Sequence, residues 1–89
     1  MTGEAASIEA SAMKDWIVNY ITSVLDIPAD PFPLADPFDS YGFDSAELVI
    51  MAGVMEEDFG VEIDPRLLFE TPSVDGVVET FQKAGLVTA

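Results

Sequence analysis

The stretch GFDS, residues 42–45, sets a primary hydroxyl, that of Ser45, directly behind the carboxylate of Asp44. Asp44 and Glu47 have the spacing of a capping box, with Asp standing where Ser or Thr is usual. Asp44 would accept from the Glu47 amide while the Glu47 carboxylate reaches back to the Asp44 amide. Ser45 is then the first residue of a helix, facing unpaired amides and the positive end of the helix dipole. A phosphoester on its hydroxyl would be electrostatically supported there. An ordinary polar first-turn residue fits the same position, so position alone leaves both readings open. Other chemistry is scarce. The chain has no cysteine and no histidine, hence no thiolate, no triad base and no nitrogen ligand for zinc. Calcium is excluded too: with Gly42 in the sixth position of an EF-hand loop, the first ligand would be Pro37 and the twelfth Leu48.

The elements that must position Ser45 follow from periodicity. Ile8, Ala12, Trp16, Ile17, Tyr20, Ile21, Val24 and Leu25 recur at spacings of three and four, which predicts an amphipathic first helix ending before Pro28. The next segment, DIPADPFPLADPFDSYGF, carries four prolines in eighteen residues and is read as a long loop. Phe32, Leu34, Phe38, Tyr41 and Phe43 would pin that loop to the core. The second helix runs from Ser45 to Phe59, with Gly60 as its stop. Pro65 opens a short helix through about Phe69, and Thr71 and Pro72 make a turn. Ser73 caps a last helix whose apolar positions are Val74, Val77, Val78 and Phe81, with a stop at Gly85. The fold class is therefore all-α, with three main helices and one short one. No strand is expected. Residues 1–7 are read as a frayed N-terminal segment, 8–85 as the folded domain and 86–89 as a C-terminal tail.

Composition bounds the function. Eighty-nine residues make one small domain, and 49% hydrophobic against 22% charged residues is a folding composition. Seventeen acidic residues against Lys14, Arg66 and Lys83 give a net charge of -14. That charge repels nucleic acid and anionic membrane surfaces and steers the protein toward basic patches on other proteins. With no signal-like N-terminus and no long apolar run, a cytoplasmic monomer is expected.

GFDSAELVIMAGVMEEDFGVEI, with DPFDSY before it and PRLLFETPSV after it, resembles the acyl carrier protein family. Gly42, Asp44 and Ser45 stand in the family's Gly-x-Asp-Ser signature at the opening of its second helix. EEDFG lies one helix downstream, and LFETPSV resembles the turn before the family's last helix. The resemblance implies a four-helix carrier bundle that is not itself an enzyme. Its Ser45 would receive 4'-phosphopantetheine from coenzyme A through a phosphopantetheinyl transferase, and Asp44 would assist through the magnesium and coenzyme A assembly. The arm's thiol would carry acyl groups as thioesters, so a protein without cysteine does thiol chemistry through its cofactor. Implied partners are that transferase, an acyl-loading ligase or acyltransferase, and ketosynthase or other synthase domains with basic patches. IDPRLLFETPSV looks more like carriers of polyketide pathways, or those loaded by fatty acyl-AMP ligases, than like the housekeeping carrier of fatty acid synthesis.

Projecting the second helix at 100° per residue puts Leu48, Met51, Ala52, Met55 and Phe59 on a core stripe. Ala46, Ile50, Gly53 and Glu57 fall opposite. Ile50 is either an exposed docking contact or a residue packed under the long loop. The family often has glutamate at the position of Ile50 and leucine at that of Ala46, so docking here is expected to be more apolar. Val54 adds to that face, and Glu47, Glu56 and Glu57 supply its charge. Gly53 leaves room either for a partner or an acyl chain, or for no purpose. Two other readings compete. One is an acidic helical adaptor without an arm, either unmodified or regulated by phosphorylation of Ser45; the other is a peptidyl or aminoacyl carrier of a nonribosomal pathway, against which GFDS argues.

Overall fold

A computed structural model describes residues 8–28 and 32–88. The predicted helices are present: α1 (Ala10–Leu25), α2 (Ser45–Phe59), a short α3 (Arg66–Glu70) and α4 (Val74–Lys83). Their ends follow local chemistry. Asp26 closes α1 in the left-handed region at φ 57°, a conformation Asp tolerates better than most residues, and its amide donates to the Thr22 carbonyl. Gly60 closes α2 at φ 70°. Pro65 caps α3 from just outside it, while the Asp64 carboxylate accepts from the amide and the guanidinium of Arg66. Those bonds hold the Asp64 carboxyl below its ordinary range. The Ser73 hydroxyl accepts from the Gly76 amide at 3.0 Å, so the expected cap of α4 is formed.

The helices bury one shared core. Met13, Ile17 and Ile21 come from α1, Leu48, Met51, Ala52 and Met55 from α2, Leu68 from α3, and Val74, Val77, Val78 and Phe81 from α4. The core side of α1 is narrower than its apolar pattern. Trp16 and Tyr20 are half-buried, Ala12 is exposed and Val24 keeps 44% of its surface.

Two elements depart from the sequence reading. Ile8–Glu9 is a strand, β1, rather than the start of α1, and it pairs in parallel with β2 (Val87–Thr88), Ile8 opposite Val87. Ile8 and Val87 are both buried, so packing extends into the residues read as a C-terminal tail. The frayed segment expected at 1–7 lies outside the described residues. The proline-rich loop also contains a turn of 3-10 helix, Phe38–Tyr41, where a plain loop was expected. Phe38 and Phe43 are fully buried, while Phe32, Leu34 and Tyr41 pack at the core's edge, so the loop is pinned as its aromatic residues predict. Burial pushes the Tyr41 hydroxyl up to about 12, helped by the nearby Asp36 charge. Among the described residues no helix is long and apolar enough to cross a membrane.

Candidate functional site

Ser45 is exposed at the first position of α2. Three devices place it. The Asp44 carboxylate accepts from the Glu47 amide at 3.1 Å, and the Asp44 carbonyl accepts from the Leu48 amide at 3.1 Å, so the helix starts where the capping pattern predicts. The returning bond from the Asp44 amide to Glu47 is not formed, which leaves half of the expected box. Gly42, at φ 93°, ends the 3-10 turn in a conformation that a side chain would strain, and the Phe43 amide then donates to the Phe38 carbonyl at 3.0 Å. Finally the loop is tied to the start of α4: Phe38 N donates to the Pro72 carbonyl at 2.7 Å and Asp75 N to that of Leu34 at 3.0 Å. Replacing Asp44 by alanine is expected to cost about 0.5–2 kcal/mol through loss of the cap. Thermal denaturation of Asp44→Ala beside Asp44→Asn, which keeps an acceptor, checks it.

A cleft of about 330 Å³ opens beside the hydroxyl, lined by Phe38, Phe43, Leu48, Phe69 and Pro72, with Asp39 and Asp44 at its edge. Phe69 is 42% exposed. No wall is expected here from sequence, although LLFE holds a signal: adjacent helical residues point 100° apart, and of Leu68 and Phe69 it is Leu68 that is fully buried.

On the outer face of α2, Ala46, Ile50, Gly53 and Glu57 are exposed, as the projection predicts. Ile50 keeps 55% of its surface, which removes the reading that packs it under the loop. Val49, not singled out from sequence, is 50% exposed beside it. Glu47 and Val54 are half-buried at the flank toward α1. Glu56 is turned elsewhere: its carboxylate accepts from the Ile63 amide at 2.7 Å, holding the loop after α2 rather than adding to the outer charge. A Cβ on Gly53 would meet nothing within 4 Å. The room there lies outside the bundle, not toward the core. Gly53→Ala is therefore expected to stabilise the fold by about 1 kcal/mol, read as a higher urea midpoint at unchanged slope.

Residues 15–81, well over half of the chain, match the family model described as the phosphopantetheine attachment site. The chain belongs to that family. It is a non-catalytic carrier domain. It is similar to parts of two curated proteins of Bacillus subtilis (strain 168). Identity to polyketide synthase PksL is 36% over 61 residues, covering 68% of this chain and 1% of that protein. Identity to polyketide synthase PksR is 33% over 79 residues, covering 84% of this chain and 3% of that protein. The carrier domain thus spans a very small share of either relative. Two solved structures share its fold. Asl1650, an acyl carrier protein from Anabaena sp. PCC 7120 with a variant phosphopantetheinylation-site sequence, superposes with TM-score 0.75 at 22% identity over 85% of this chain and 86% of its own. A free-standing peptidyl carrier protein from an Acinetobacter baumannii secondary metabolic pathway gives TM-score 0.73 at 20% identity, over 85% and 95% of the two chains.

Proposed function

We propose that Ser45 is the attachment point for 4'-phosphopantetheine and that the domain presents acyl groups to enzymes of polyketide or related secondary-metabolite assembly. The observation that carries this reading is the exposed Ser45 hydroxyl at the first turn of α2, inside the matched region and behind the Asp44 cap. The bound arm would supply a terminal thiol that holds acyl groups as thioesters. The chain's own residues do the rest. Asp44 and Gly42 fix where the hydroxyl stands. The amides of Ser45 and Ala46 precede the first intrahelical donor and would favour an anion at this position, while the carboxylates of Asp39, Asp44 and Glu47 would oppose one. Attachment therefore needs cationic help from the modifying enzyme. The Phe69 and Pro72 wall offers apolar surface to the arm or its cargo as it leaves the serine.

Partners in this reading are a phosphopantetheinyl transferase, an acyl-loading ligase or acyltransferase, and ketosynthase or other synthase domains with basic patches. They dock on Ala46, Val49, Ile50 and Gly53, with Glu47 and Glu57 supplying charge. The similarity to PksL and PksR supports the polyketide setting. Ser45→Ala tests the reading. It is expected to keep the helical circular dichroism and melting temperature of the parent and to lose all acyl transfer in a reconstituted loading assay. Full activity of Ser45→Ala in its pathway would favour an unmodified adaptor instead.

A further inference from the structure

The apolar surface that α1 leaves uncovered forms a groove against α2, away from Ser45 and its outer face. Trp16, Tyr20 and Val24 line one side and Val54 and Asp58 the other, around a space of about 340 Å³ that admits a large apolar side chain. Its wall is rigid. Trp16 and Tyr20 stack with centroids 5.3 Å apart and planes at 11°, and the Trp16 indole N–H donates to the Asp58 carboxylate at 2.8 Å. Val24, on the same side, keeps 44% of its surface. The rim is acidic where the Asp58 carboxylate stands at one end. The chain's three basic residues are elsewhere. Lys14 pairs with Asp75 of α4 at 3.6 Å, Arg66 with Asp64, and Lys83 lies in the last turn of α4.

We propose that this α1–α2 groove is a second docking surface, which receives an amphipathic helix of a partner protein carrying a large apolar residue flanked by lysine or arginine. The apolar residue seats on Val24 and Val54 against the Trp16–Tyr20 stack, and a flanking basic residue meets Asp58. Charge selects this occupant. A second copy of a chain with net charge -14 would bring like charge to the same rim. The surface does not require Ser45 to be modified, so it stands or falls separately from the carrier reading.

Trp16 is the chain's single tryptophan, so its fluorescence reports on the groove directly. The full chain is titrated with a synthetic helix-forming peptide bearing leucine at heptad a and d positions and lysine elsewhere, and with a version carrying glutamate for lysine. Saturable change in Trp16 emission is expected with the lysine peptide alone, together with amide NMR shifts at Asn19, Ser23, Val24 and Val54. Val24→Asp is expected to weaken binding about tenfold, and the charge-matched Gln82→Asp to leave it within about twofold. Should Asp at 24 lower the helix signal, Val24→Ser takes its place with the same direction of effect. The proposal is overturned by equal effects of the two variants, by shifts confined to Ala46, Val49 and Ile50, by absence of a saturable Trp16 change, or by a concentration-dependent change in the protein alone, which would mark self-association.

Discussion

Phe43→Ala is expected to lower stability by about 3–5 kcal/mol, a large share of the roughly 5–15 kcal/mol typical of a folded domain. Phe43 is fully buried at the junction between the proline-rich loop and α2. Its ring lies 5.8 Å from that of Phe38 and meets Tyr20 edge-on at 6.3 Å, so truncation opens a cavity bounded by the loop, α1 and α2 together. The same residue sits two positions before Ser45. Loss of the ring therefore loosens the segment that places the hydroxyl, and the rate of modification should fall beyond what the unfolded fraction explains. A urea titration gives the first quantity, with a lower midpoint; initial rates on the folded fraction give the second.

Gly76→Ala is expected to destabilise the fold by at least about 1–3 kcal/mol, although helix propensity alone predicts a gain. A Cβ at Gly76 would lie 2.5 Å from the Thr71 carbonyl oxygen and 2.6 Å from the Thr71 Cβ. Relief requires moving the backbone turn between α3 and α4, where the Thr71 and Thr80 hydroxyls share a hydrogen bond of 2.8 Å and Phe38 N is bonded to Pro72. Gly53→Ala has the opposite expected sign, because α2 has open space where α4 has Thr71. Melting temperatures of the two variants should therefore move in opposite directions.

What the sequence discloses is what local chemistry decides. The start of α2 at Ser45 follows from Asp44, the start of α4 from Ser73, and the core stripes of α2 and α4 from spacing alone. Non-local contacts are harder to read. Strands β1 and β2 hold two residues each, too few for a period-two signal, and their pairing joins residues nearly a chain length apart. The 3-10 turn at Phe38–Tyr41 is tethered from outside by the bond from the Phe38 amide to the Pro72 carbonyl, a contact between residues far apart in the chain. Trp16, Tyr20 and Val24 carry apolar periodicity, yet periodicity does not say how much of a helix its neighbours cover. Glu56 looks like its neighbour Glu57 in sequence, but a one-residue step turns it by 100° toward Ile63. At the site, the serine and its cap were legible because they are contiguous. The Phe69 and Pro72 wall was not, since it is brought in by a later helix.

The proposed attachment of the prosthetic arm to Ser45 has a direct mass signature. Intact mass spectrometry tests it most directly, before and after incubation of the protein with coenzyme A, magnesium and a broadly tolerant phosphopantetheinyl transferase. A gain of one phosphopantetheine by the parent, with none by Ser45→Ala, is the expected result. No gain by a folded parent with several transferases, or an equal gain by Ser45→Ala, would contradict it.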